Sequence, residues 1–71
     1  MGKDICYRLG RRMVRLRHKY GLTQEELAER AQVSYKYIQM LEGRKPNKAS
    51  VVVLEKIANG FKLPLWKLLK F

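Results

Sequence analysis

The sequence predicts an all-α chain folded as a compact five-helix bundle. Apolar residues recur at helical spacing, as in Ile5, Leu9, Met13 and Leu16, set four, four and three apart. Residues that cap helix N-termini stand before three further stripes, namely Thr23, Ser34 and Ser50. The one β-branched run, Val51-Val52-Val53, has no second strand to pair with and follows the Ser50 cap, so it reads as helix.

Met1 to Asp4 read as a frayed start, with Asp4 the candidate N-cap of a first helix over about 5–18. Ile5, Leu9, Met13 and Leu16 form its inward face. Arg8, Arg11, Arg12 and Arg15 form the other, with at least half of them expected to be solvated and some adding to the field around the chain. Gly10 inside this helix costs about 1 kcal/mol relative to Ala, and a close contact with another helix would account for it. Cys6 reads as a small apolar filler. Gly21 ends the first connection in a left-handed conformation.

The second helix spans about 24–31. Thr23 caps it and Glu26, three residues on, completes a capping box. Leu27, Ala28 and Ala31 make its apolar stripe, and Glu25, Glu26 and Glu29 lie outside, the first two suiting the helix dipole. A third helix, about 34–42, opens at Ser34. Ile38 and Leu41 point inward with Val33 beneath them, which leaves Tyr35, Lys36, Tyr37, Gln39 and Met40 facing out. Residues 43–49 form a basic loop rich in turn formers. The fourth helix, about 51–61, buries Leu54, Ile57, Ala58 and Phe61, with Gly60 small for packing or for the helix exit. Pro64 starts the fifth, about 65–70.

Seventy-one residues make one small domain, residues 1–71, and such a chain buries only about 60% of its unfolded surface. Cys6 is the only cysteine, so no intrachain disulfide forms, and with His18 as the only histidine a four-ligand zinc site is not expected. No metal or cofactor is expected. The N-terminus lacks the apolar run of a signal peptide, and no stretch approaches the roughly 20 apolar residues of a membrane span. Sixteen Lys and Arg against six Asp and Glu give a net charge of +10, which points to a polyanion, nucleic acid before an anionic membrane. Catalysis has little support. Glu25 and Glu26 are adjacent and face different ways on their helix, and no Gly-rich phosphate loop or metal-ligand spacing occurs.

The second and third helices, joined by a short turn, have the helix-turn-helix shape, and the small Ala28 lets them cross closely. TQEELA (23–28), Val33-Ser34, Ile38 and Leu41-Glu42 together resemble the Cro and phage-repressor type, the Xre-like helix-turn-helix family. Leu9-Gly10, Met13, Leu16-Arg17 and Gly21-Leu22 fall where that family has its first helix and turn. Ser50, Leu54, Ile57-Ala58 and Phe61 match its fourth helix, and Leu65 and Leu68 its fifth. The resemblance runs from about Ile5 to Leu69 and implies a lambda-repressor-like DNA-binding domain, not an enzyme. Gln32 and Lys62 stand where relatives often carry Gly. A left-handed backbone at Gln32 would cost on the order of 1 kcal/mol.

By this resemblance the third helix enters the major groove of double-stranded DNA, whose floor displays a distinct pattern for each base pair. Tyr35, Lys36 and Met40 sit where base contacts are made, with Gln39 and Tyr37 as further contacts. Lys36 can donate to guanine O6 or N7; Tyr35 and Met40 can lie against thymine methyls. Alternatively Tyr35 and Tyr37 pack on neighbouring helices, Lys36 only solvates the surface, and Met40 tucks into the core. Gln24 and Ser34, at helix N-termini, and Arg44, Lys45 and Lys48, in the basic loop, are the expected phosphate contacts. Arg17 and Glu42 match family positions that form a partly buried ion pair orienting the third helix. His18 reads as an ordinary surface residue.

Relatives bind as homodimers on inverted half-sites, and the apolar tail residues Leu65, Trp66, Leu69 and Phe71 suggest the dimer surface. Trp66 could instead fold back as a lid on the core. The implied role is a sequence-specific transcriptional regulator, a repressor, in the cytoplasm of a prokaryote at its nucleoid, with no membrane partner, small-molecule ligand or separate effector module. The alternatives are an antitoxin- or adaptor-type protein-binding module on the same fold, and a non-specific binder of RNA or anionic membrane.

Overall fold

Five helices follow one another in the computed structural model, which describes residues 2–44, 46 and 48–71, with side chains from Ile5 onward. They are α1 (Gly2–Tyr20), α2 (Gln24–Ala31), α3 (Tyr35–Glu42), α4 (Val51–Gly60) and α5 (Leu65–Leu68). No strand occurs among the described residues. α1 starts three residues earlier than expected, so the backbone of Asp4 lies inside the helix and is no N-cap. α5 ends two residues early, at a C-cap on Leu69.

Local chemistry sets each helix start. The Glu26 N–H donates to Thr23 Oγ1 at 3.0 Å and the Thr23 N–H to Glu26 Oε1 at 2.9 Å, a complete capping box. These bonds hold the Glu26 carboxyl below its ordinary pKa, the Thr23 backbone bond first, then the Thr23 hydroxyl, with Arg30 a smaller contributor. Ser34 Oγ accepts from the Tyr37 N–H at 3.0 Å, and Ser50 Oγ from the Val53 N–H at 3.1 Å. Leu22 and Leu27, Val33 and Ile38, and Ala49 and Leu54 flank the three caps in the positions of a hydrophobic staple.

Three helix ends share one exit. Gly21, Gln32 and Lys62 all have positive φ, at 66°, 58° and 59°. At each, the next N–H reaches back to the carbonyl five residues earlier: Leu22 to Arg17 at 2.8 Å, Val33 to Ala28 at 3.1 Å and Leu63 to Ala58 at 2.9 Å. This is the Schellman motif, which favours Gly at its left-handed position; only the first exit has one.

The core is Leu9, Met13 and Leu16 from α1, Leu22, Leu27, Ala28 and Ala31 around α2, Ile38 and Leu41 from α3, Ile57, Ala58 and Phe61 at α4, and Leu68 from α5. Two glycines let helices approach it closely. A Cβ on Gly10 would overlap the Leu41 carbonyl oxygen, so α1 and α3 touch through their backbones. A Cβ on Gly60 would crowd Ala31 at 3.2 Å, where α4 crosses α2. Ile5 departs from the expected inward stripe and is exposed, because the core does not extend to the first turns of α1. Leu54 is only half-buried at the edge of the core.

Candidate nucleic-acid interface

α3 is fixed from behind by a buried polar cluster. Arg17 grips Glu42 bidentately, Nε to Oε2 at 2.8 Å and Nη2 to Oε1 at 2.7 Å. Arg17 Nη1 also donates to the Leu22 carbonyl at 3.1 Å. Gln24 Nε2 donates to Glu42 Oε1 at 2.9 Å. Glu42 is only 6% exposed, so its charge is held by this fork and amide rather than by water. One carboxylate thereby ties together α1, the start of α2 and the end of α3. Arg11 Nη2 donates to the Glu42 carbonyl, capping the C-terminal end of α3 as well.

With its inner side locked, α3 turns Tyr35, Lys36 and Gln39 to solvent, Tyr35 at 42% exposure. Tyr37 and Met40 are half-buried and pack on the core, so the face is narrower than the five residues expected. The cause is helical geometry: Tyr37 lies one turn before the fully buried Leu41, on the same side of the helix. Met40 sits at the shoulder, one turn beyond Lys36. Ser34 is exposed at the start of α3 with its hydroxyl oxygen engaged as the cap. Gln24 sits at the start of α2, yet its side-chain amide is turned to Glu42. Arg44 and Lys48 are exposed beyond α3; Lys45 lies outside the described residues.

Sequence reading missed the amide of Gln24 in the clamp and the roles of three α1 arginines. Arg8 donates to the Phe71 carbonyl at 3.2 Å and lies over the Phe71 ring, 5.2 Å from its centroid. Arg12 donates to the Lys67 and Leu68 carbonyls at 2.8 and 3.4 Å. With Arg11, these side chains bind carbonyls from α3 and the C-terminal region; Arg8 and Arg15 remain exposed, the half of the α1 arginines expected to be solvated, and Arg11 and Arg12 are half-buried. For Arg11 the available signal was the absence of basic residues from the last turn of α3, where the chain supplies its cation from another helix.

The C-terminal apolar residues divide. Trp66 is 62% exposed, with Lys67 Nζ 5.6 Å from its ring centroid, so it is no lid on the core. Leu69, three residues on, is 41% exposed, whereas Leu65 and Phe71 are half-buried against the core. Among the described residues no group of three or more His, Cys, Asp or Glu could hold a metal ion. None of the described helices is long and apolar enough to cross a membrane.

Comparison with known proteins agrees with this geometry. Residues 8–65 match the family model for the helix-turn-helix domain. The chain belongs to the helix-turn-helix family, of the Cro and phage-repressor (Xre-like) type. Proteins of this type are DNA-binding regulators of transcription, and this helix-turn-helix chain is one. Its fold is similar to the crystal structure of the restriction-modification controller protein C.AhdI from Aeromonas hydrophila, with a TM-score of 0.82 and 28% identity. That similarity covers 89% of this helix-turn-helix chain and 94% of the other. No curated protein sequence matches it.

Proposed function

We propose that this chain is a sequence-specific repressor, without enzymatic activity, that binds duplex DNA as a homodimer with α3 in the major groove. The observation that carries the proposal is the exposed Tyr35, Lys36 and Gln39 face on a helix whose opposite side is locked by Glu42. A reading helix needs such a fixed pose, because base-edge hydrogen bonds tolerate little misplacement. Lys36 donates to guanine acceptors, Gln39 pairs with adenine, and Tyr35 lies against a thymine methyl or donates from its hydroxyl. Met40 offers a smaller apolar contact from the shoulder, and Tyr37 reaches the groove wall. Backbone N–H groups at Gln24 and Ser34, with Arg44, Lys45 and Lys48, hold phosphates on either side.

The likeness to a restriction-modification controller supports a role in controlling restriction-modification genes. Trp66 and Leu69 supply the exposed apolar surface through which two copies pair and present two α3 helices about 34 Å apart.

Selection of bound sequences from a randomised duplex library at near-physiological salt tests this. One inverted-repeat motif is expected. Changing Tyr35, Lys36 and Gln39 together to Ala should abolish the motif preference, at about 1–3 kcal/mol per lost specific contact, while salt-dependent non-specific binding persists. A selection that returns no motif, or a triple variant that keeps it, rules the proposal out.

A further inference from the structure

A second set of cations lies on the side of α1 that points away from α3. Side chains on a helix advance by about 100° per residue. Measured from Gly10, which meets α3, Arg17 falls within about 20° of it, whereas Arg12, Arg15 and Lys19 fall about 140–200° away. Arg12, Arg15, Lys19 and Lys67 line a cleft with Tyr20 and Leu63, and no carboxylate lines it among the described residues. Three of the cations are already held: Arg12 by the Lys67 and Leu68 carbonyls, Lys19 with its Nζ 5.6 Å from the Tyr20 ring centroid, and Lys67 with its Nζ 5.6 Å from the Trp66 ring centroid.

Like charges crowded into a concave site repel one another and concentrate a counter-ion. Side chains held before binding lose less freedom when that ion arrives. Guanidinium forks beside lysine ammoniums suit the several oxygens of a phosphate better than the two of a carboxylate.

The geometry points to a phosphate-binding cleft between α1 and α5, separate from the α3 face, that takes the phosphodiester of a second nucleic-acid duplex or a free phosphate ester. A duplex seated on α3 lies across α1 from this cleft. The cleft therefore adds a binding site to the one proposed for DNA reading and does not depend on it.

Backbone amide NMR of the full chain reads the two surfaces separately. The probes are inorganic phosphate, a 16-base-pair duplex and a poly-glutamate peptide of matched charge. Inorganic phosphate is expected to shift the amides of Arg15, Lys19 and Tyr20 and to leave Gln39, beyond the first turn of α3, in place. The duplex shifts both sets, in two transitions, when its phosphodiester is the ligand. It shifts only the α3 set when the cleft is confined to free phosphate esters, and either result supports the cleft.

Arg15→Gln with Lys19→Gln should weaken the α1 shifts about tenfold, since two charged contacts are lost, and leave the α3 shifts unchanged. Both side chains are exposed, and unchanged α3 shifts show that the variant folds. The inference is overturned if phosphate and duplex both leave the α1 amides unmoved, if the shifts persist in the double variant, or if poly-glutamate binds there as tightly as phosphate. Loss of the α3 shifts alone counts against DNA reading by α3 and leaves the cleft standing.

Discussion

α3 and α5 both present side chains to solvent, but the chain holds them in opposite ways. α3 buries Ile38 and Leu41 completely, meets the α1 backbone at Gly10, and has its last residue gripped by Arg17 and Gln24. α5 has four residues and one buried side chain, Leu68, and borrows Arg12 to bind its final carbonyls. A core this small cannot seat every helix deeply. Here α3 receives the backbone contact and the buried charge, whereas Trp66 in α5 and Leu69 just after it stay exposed.

The contrast can be broken most directly at Glu42. Glu42→Ala leaves the Arg17 guanidinium without its carboxylate and should destabilise the chain by about 3 kcal/mol. Trp66→Ala should change folding stability by no more than about 0.5 kcal/mol, because the indole is largely exposed. Urea denaturation of the two variants measures the difference, and equal midpoints would mean that α3 is held no more firmly than α5.

Gly10→Ala comes next. Alanine is the better helix former, yet its Cβ would overlap the Leu41 carbonyl, so a loss of about 1–3 kcal/mol is expected in thermal unfolding. A rise in Tm would show that α1 and α3 do not need backbone contact.

The helix exits sharpen the comparison with smaller steps. Gln32→Gly, just before α3, and Lys62→Gly, just before α5, should each raise stability by up to about 1 kcal/mol, less what glycine adds to the freedom of the unfolded chain. Gly21→Ala should lose a similar amount through its positive φ alone, since a Cβ there meets nothing within 4 Å.

The smallest effect belongs to Glu26. Its folded pKa is lowered, so its contribution is complete above the pKa of the unfolded chain and is lost as pH falls through the folded value. A slight weakening of the α2 cap is expected below the ordinary glutamate range, and Glu26→Ala should flatten that limb in an acid titration of stability.

Much of this molecule was legible from local signals. Thr23, Glu26, Ser34 and Ser50 announced three helix starts because capping depends on residues within one turn. Gln32 marked a left-handed exit through the family pattern it interrupts, whereas Lys62 showed only as a departure from that pattern, and its left-handed backbone came from the structure. The outward positions of Tyr35, Lys36 and Gln39 followed from the periodicity around Ile38 and Leu41. Periodicity alone did not show that Tyr37 and Met40 are half-covered, because coverage depends on how far the neighbouring core reaches around the helix. It likewise did not show that Ile5 lies beyond the end of the core.

By itself the sequence determined the all-α class, the order of the helices, their caps and the strongly basic character, since each depends on neighbours a few residues apart or on composition. The family pattern added the pairing of Arg17 with Glu42. Only the tertiary structure decided that Gln24 joins that pair, that Arg8, Arg11 and Arg12 bind carbonyls of distant segments, and that Arg15 and Lys19 are left beside Lys67 around a cleft. Those outcomes depend on contacts between residues up to 63 positions apart. An arginine on a helix surface has the same local sequence signature whether its guanidinium meets water or another helix's carbonyl. Only the packing of the helices places that carbonyl within its reach.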